Sequence, residues 1–382
     1  MEFPTRGKTV ISVFILPLIL GAGCLAPLQA QETDVAGDVE DGTAALFYPR
    51  LPEPPRIQYL TSFSVARDIK AQKQKTGWLA KFVLGEENPE DMQGPEKPYG
   101  VALHDGEIHV VDTRGGGYAI FDVPDKDYRF VYGSGASAMT KPINMTIDED
   151  GMKYITDTVK ERVFVFDGND KYIKAYGLQE AFQPTDVRAL GERVYVSDLA
   201  GHRIVIFDKN SGALLGSFGD KGAPEEVLFQ PTNITIGADQ HLYVSDTNNF
   251  RIQQYTLDGK YVRSYGAGIG TGPGNFARPK GIDVDRNGRL YVVDAAFENV
   301  QIFNREGRLL LFFGEKAANH EGGFDLPTDI AIDYGSAAYF QQYADPAFHL
   351  EYVILVANQF GRSKVSVFGF GQYQGMSYPE DE

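Results

Sequence analysis

The chain has 382 residues, 43% hydrophobic and 23% charged, a composition that folds rather than one that stays disordered. Its 52 acidic against 36 basic residues leave a net charge of −16, which opposes a general nucleic-acid binder, because such a protein needs a basic field to displace counterions. A single cysteine excludes a disulfide framework and multi-cysteine zinc, iron–sulfur or haem-attachment sites. Forty-two glycines and 12% aromatic residues point to many short strands joined by tight turns.

Arg6 and Lys8 open the chain with positive charge, and an apolar run from Val10 to Leu20 follows. That run is too short to span a bilayer as a helix but suits the core of a signal peptide. Gly21-Ala22-Gly23-Cys24 then resembles a bacterial lipobox, with Gly21 where leucine is usual. The resemblance implies cleavage after residue 23 and lipidation of Cys24. Leu25 after the cysteine, rather than an aspartate, resembles lipoproteins sorted to the outer membrane, facing the periplasm or the surface. The alternative is a secretory signal cut after Ala30, leaving a soluble periplasmic or secreted protein. Residues 24–55 read as an acidic, proline-rich tether, with Pro52-Glu53-Pro54-Pro55 favouring extended chain.

Between 64 and 97 the pattern of the remaining chain is interrupted. Trp78, Leu79, Phe82 and Val83 share a helical face, and a helical insert is expected over about 66–96.

From there the chain repeats. Prolines 98, 142, 184, 231, 279 and 327 are spaced by 44, 42, 47, 48 and 48 residues. Each opens a unit of four strand-like pieces, the second ending in Asp112, Asp157, Asp198, Asp246 or Asp294. Four antiparallel strands at this period mark a β-propeller blade. A proline at the start of each unit suits the innermost edge strand, which needs one N–H fewer. The sixth unit lacks a fourth strand, and Ile57–Phe63 has the right pattern to supply it. The expected fold is all-β: a six-bladed propeller over 56–370 with four-stranded antiparallel blades, the last closed by an N-terminal strand. Residues 371–382 would form a tail.

The repeated units resemble the NHL-repeat family, most closely in Asp246-Thr247-Asn248-Asn249-Phe250-Arg251-Ile252-Gln253 and in the loop Gly270–Pro279. Pro55-Arg56-Ile57-Gln58-Tyr59-Leu60 and Asn358–Val365 resemble a group of exported bacterial six-bladed proteins, often lipoproteins. The resemblance implies the fold; function varies within such a fold class. It includes ligand-binding and scaffold proteins, RNA binders with basic faces, and a few enzymes. The metal-dependent lyases among them need equivalent histidines, whereas the six histidines here fall at unrelated positions of the repeat.

Two candidate sites follow. Lys97, Lys141, Arg278 and Lys280 flank opening prolines and would form a basic rim at the channel mouth. Asn144, Asp186, Asn233 and Asp329 stand second after their prolines, where glycine is the pattern, and would also line the mouth. They serve either as ligand contacts or, in the alternative that lactonase-type hydrolases suggest, as a calcium site. Otherwise no cofactor, metal or catalytic residue is expected. The recurring aspartates read as turn caps, since one active site does not require five copies. A third feature is the insert Tyr334–His349 in unit six. Ser336 and Pro346 would bound a short helix, and Tyr339, Phe340 and Tyr343 would offer an aromatic partner surface on the other face, or else cover the end of the blade. The function expected is a monomeric, non-catalytic binding or scaffold protein of the cell envelope, held to the membrane by its lipid, for an exported protein or a small anionic ligand. The alternative is a calcium-dependent hydrolase or lyase.

Overall fold

The computed structural model describes residues 45–70, 89–270, 272–316 and 320–378. The signal segment, Cys24, the tether up to residue 44 and the helical stretch with Trp78 to Val83 lie outside the described residues.

Six antiparallel sheets form six blades. Blade one consists of Pro98–His104, Glu107–Asp112, Gly117–Asp122 and Asp127–Tyr132. Blade two is Pro142–Ile147, Lys153–Asp157, Arg162–Phe166 and Tyr172–Tyr176, and blade three is Pro184–Leu190, Arg193–Asp198, Arg203–Asp208 and Leu214–Phe218. Blade four is Ile234–Ile236, His241–Asp246, Arg251–Thr256 and Tyr261–Tyr265, and blade five is Pro279–Val284, Leu290–Asp294, Asn299–Phe303 and Leu309–Phe313. Blade six takes Pro327–Asp333, Phe348–Asn358 and Val365–Tyr373 from the C-terminal end and Ile57–Phe63 from the N-terminal end. The chain is thus a six-bladed β-propeller closed by its own N-terminal strand.

The core is divided in a way that explains the strand composition. Each apolar cluster is shared by two consecutive blades: Tyr154, Val163 and Val165 of blade two, for example, meet Val187, Val194 and Phe207 of blade three. Every blade is therefore covered on both faces, which favours β-branched and aromatic residues throughout the strands. Burying one such side chain contributes roughly 1.5–3 kcal/mol.

Closure depends on the strand Ile57–Phe63. It pairs antiparallel with Val365–Tyr373, Ile57 opposite Phe370 and Phe63 opposite Val365. Ile57 enters the cluster between blades five and six, and Phe63 the one between blades six and one. Phe63 also meets the Phe121 ring of blade one at 5.6 Å.

Two boundaries differ from the sequence reading. The folded body begins near residue 45 and not at 56, because Phe47–Tyr48 adds a fifth strand outside Ile57–Phe63. Phe47 drives this: it is buried against Phe348 and Tyr373 with ring centroids 5.5 and 5.7 Å apart. The C-terminal strand runs to Tyr373, and Tyr378 donates a hydrogen bond to the Pro55 carbonyl at 3.0 Å, so the chain up to there docks on blade six. Of the helical insert, the described parts are the helix Ala66–Lys70, with Ile69 buried, and a 3-10 turn at Pro89–Met92.

Removing residues 1–65 strips blade six of its outer strands and leaves Val365–Tyr373 as an open edge. Thermal unfolding of that truncation is expected to lose cooperativity and end in aggregation, whereas removing residues 1–44 is expected to leave the midpoint nearly unchanged. Equal behaviour of the two truncations in calorimetry would remove the closure assignment.

Candidate functional site

The mouth of the channel is built by a repeated device. The aspartate that ends the second strand in blades one to five is buried, and in blades one, two, three and five its carboxylate accepts two sets of amide hydrogens. Asp112 takes the N–H groups of Glu96 and Lys97 at 2.7 and 3.0 Å and that of Arg114 in the following turn at 3.0 Å. Asp157 does the same for Thr140, Lys141, Val159 and Lys160. Asp294 does so for Ala277, Arg278, Ala296 and Phe297. In blades one, two, three and five the residue before the opening proline is therefore fixed by its own blade. In three blades that residue is a cation: Lys97, Lys141 and Arg278.

These three and Lys280 all line one cavity of about 360 Å³. The other lining residues include Tyr99, Ile143, Gln183, Thr185, Gln230 and Thr232, and among the described residues no aspartate or glutamate lines it. The structure thus brings together the four cations of the basic rim. Lys97 also lies over the Phe360 ring, with Nζ 5.8 Å from its centroid. Burial, and then Arg278 beside it, push the Lys280 ammonium down to about 8.

Asn144, Asp186, Asn233 and Asp329 are not at the mouth. The residue one after the proline faces the cavity (Tyr99, Ile143, Thr185, Thr232, Lys280), and the next one lies buried in the channel. Glycine permits the close approach where these layers meet: a Cβ on Gly100 would overlap Asn144, and one on Gly281 would overlap the Asp329 backbone. The buried carboxyls join blades. Asp186 of blade three accepts the Ile234 N–H of blade four at 2.8 Å, and Asp329 of blade six accepts the Val101 N–H of blade one at 3.0 Å. Asp283 of blade five accepts the Ile332 N–H of blade six at 2.8 Å. Arg188 donates to Asp186 at 3.0 Å, and Asn233 donates to Asp329 at 3.1 Å.

Sequence reading missed Arg188, Asp283 and Tyr99. Arg188 and Asp283 stand two residues after Asp186 and Gly281, so the strand period of two places each on the channel side. Tyr99 stands one residue after its proline, in register with Lys280.

Calcium does not fit this donor set. Most of the oxygens it would need already face donors: Asp186 accepts from Val187 N–H, Arg188 and Ile234 N–H, Asp329 from Asn233 and Val101 N–H, and Asn144 from Met145 N–H, which leaves Asn233 Oδ1 open, and one oxygen does not hold calcium. A guanidinium within the cluster opposes a divalent cation further. Among the described residues no group of three or more His, Cys, Asp or Glu is arranged to hold a metal ion.

The insert of blade six forms the helix Ala337–Phe340 and a 3-10 turn Gln341–Tyr343. Its three aromatics do not share an exposed side. Phe340 is fully buried in the cluster between blades six and one, with Tyr343 packed against that cluster. Tyr339 is exposed but lies against Gly106 of blade one and edges an acidic groove with Asp105, Glu149 and Asp150. Ser336 accepts the Gly106 N–H at 2.9 Å. The insert thus covers the seam where the ring closes, and Phe340 is core rather than contact surface.

A family model described as a six-bladed beta-propeller matches residues 223–310. Among curated proteins no sequence matches. Solved structures share the fold. An auxiliary nutrient binding protein from Bacteroides thetaiotaomicron is 13% identical with a TM-score of 0.54, covering 74% of this chain and 71% of its own. A gluconolactonase from Xanthomonas campestris is 15% identical with a TM-score of 0.53, covering 87% and 99%. A streptogramin B lyase is 17% identical with a TM-score of 0.51, covering 74% and 85%. At these identities the likeness is one of fold.

The channel carboxyls carry a pH signature. Burial raises Asp329 to about 8, reinforced by the charge of Asp186, and burial raises Asp186 to about 6 against the pull of Arg188. Burial raises Asp283 as well. A carboxyl raised on folding binds its proton more tightly in the folded than in the unfolded state. The stability these groups contribute is therefore present near the unfolded value of about 4 and is lost as pH climbs toward 8. The urea midpoint is expected to fall between pH 5 and pH 8, and Asp329→Asn, which mimics the protonated acid, to flatten the fall between pH 6 and 8. A pH profile unchanged by Asp329→Asn would contradict the assignment.

Proposed function

We propose that this propeller is a non-catalytic binding protein of the bacterial envelope that takes a small anionic ligand at its channel mouth. The observation that supports it is the lining of one cavity by Lys97, Lys141, Arg278 and Lys280 with no carboxylate among the described lining residues. In a concave mouth such charges attract anions more strongly than on open surface, because less water screens them. Tyr99, Ile143 and Leu199 supply apolar wall, and Gln183, Gln230 and the threonines supply hydrogen bonds. That mixture suits a small organic acid or phosphate ester. The nutrient-binding protein of similar fold is consistent with a binding role. A calcium-dependent hydrolase receives no support from the donor set.

Calorimetric titration at low salt with phosphate and with mono-, di- and tricarboxylates is expected to find binding that weakens as salt rises. Lys97→Ala and Lys141→Ala are each expected to cost about tenfold in affinity, the equivalent of about 1.4 kcal/mol for a lost charge-assisted contact. Absence of binding across the whole panel would overturn the reading.

The same proposal places the propeller on a membrane through a lipid on Cys24. Cys24→Ser is expected to move the protein from the membrane fraction to the soluble fraction of the envelope. A mature protein that begins at Gln31 would exclude the anchor.

A further inference from the structure

Lys280 differs from the other mouth cations. Lys97, Lys141 and Arg278 stand before their prolines, and Lys141 and Arg278 are exposed. Lys280 follows Pro279 inside the inner strand of blade five; it is only 9% exposed, yet it borders the cavity. Its Nζ makes no hydrogen bond or ion pair with the described residues, and Arg278 is the charge that acts on it. An ammonium enclosed without a counter-ion is costly, and release of its proton relieves that cost. Burial with a neighbouring cation is the arrangement that turns a lysine into a nucleophile near neutral pH.

We propose that Lys280 is a reversible covalent capture site for a small 2-oxo carboxylate, its amine taking the carbonyl carbon while Lys97, Lys141 and Arg278 attract the carboxylate. This rests on the anion-binding reading of the mouth and names its ligand class. The lone pair of Nζ forms the C–N bond as the carbonyl π pair moves to oxygen. The resulting carbinolamine loses that oxygen as water, which carries away the two amine hydrogens, and an imine remains. Addition of water reverses the step, so no oxidant or reductant is needed. The phenol of Tyr99, kept protonated by burial and by Asp329, supplies a protic group among the lining residues. A cavity of about 360 Å³ admits an acid of a few carbons.

The test treats the folded, full-length protein with pyruvate and sodium cyanoborohydride at pH 8 and maps the reduced adduct by peptide mass spectrometry. The expected result is modification at Lys280 at least tenfold above any other lysine. Lys280→Arg, which keeps the charge, is expected to abolish that adduct, and Arg278→Ala to slow its formation. Adduct spread over exposed lysines such as Lys141 and Lys316 would overturn the proposal, and the wild-type map alone decides this if a variant fails to fold. Lactate, which has the carboxylate without the carbonyl, separates the two readings by calorimetry. Lactate binding without a Lys280 adduct from pyruvate removes covalent capture and leaves anion binding, whereas absence of both removes both.

Discussion

The structure depends on one repeated interaction: a buried aspartate at the end of the second strand that grips the loop entering its own blade. Asp112, Asp157, Asp198, Asp246 and Asp294 are all essentially inaccessible to water. A carboxylate placed there without partners would be prohibitively expensive, so each is surrounded by donors, backbone amides joined in blades three and four by the Arg203 and Arg251 side chains. Hydrogen bonds to a charged group contribute about 1.5–3 kcal/mol each, and here they fasten two backbone segments at once. Blade six shows the limit of the rule. Asn358 stands in the aspartate's place, accepts the Asp325 N–H at 3.3 Å and donates to Ser366. A neutral amide suffices in the blade whose outer strand comes from the other end of the chain. The functional consequence is positional: the rim cations stand on backbone that the blades themselves hold fixed.

The parts of this architecture that sequence reveals are those that recur or are local. Six opening prolines, five aspartates and a missing fourth strand matched by Ile57–Phe63 are enough to define the ring, because each copy supports the others. The docking of Phe47–Tyr48 was not legible: a two-residue strand has no period, and neighbouring prolines read as extended chain. The insert was half legible. Its bounds follow from Ser336 and Pro346, but which aromatic turns inward is decided by what lies beneath, and there the seam between blades six and one accepts Phe340. The channel residues were located to the right strand positions and misjudged in depth. A single residue step separates Thr185, on the cavity wall, from Asp186, sealed beneath it. One-dimensional pattern gives the alternation but not which phase meets open space.

Beneath the mouth, the channel gathers Asp186, Asp283 and Asp329 around one guanidinium, Arg188. One positive charge cannot neutralise three carboxylates in a medium of low dielectric, so protons make up the difference and the acids titrate high. The cluster is best understood as a set of interblade joints. Its oxygens accept backbone N–H groups across three seams, between blades three and four, five and six, and six and one. Carboxyls whose raised acidity range resembles that of catalytic acids are thus occupied in holding the ring, and the groups left free to meet a ligand are those one layer above.

That layering also bears on what kind of anion the mouth selects. The chain carries a net charge of −16, so any acidic partner is repelled at a distance. At physiological salt the interaction decays over about 8 Å, and a charge that enters a cavity ringed by four cations is governed by those cations rather than by the far surface. A small ligand can place its whole charge inside that radius. An extended polyanion, such as a nucleic acid or an acidic protein face, would set a few charges in the mouth and the rest against carboxylates outside it. The opposition of global and local charge therefore acts as a size filter, and it favours a compact organic acid over an acidic macromolecule as the occupant of the channel mouth.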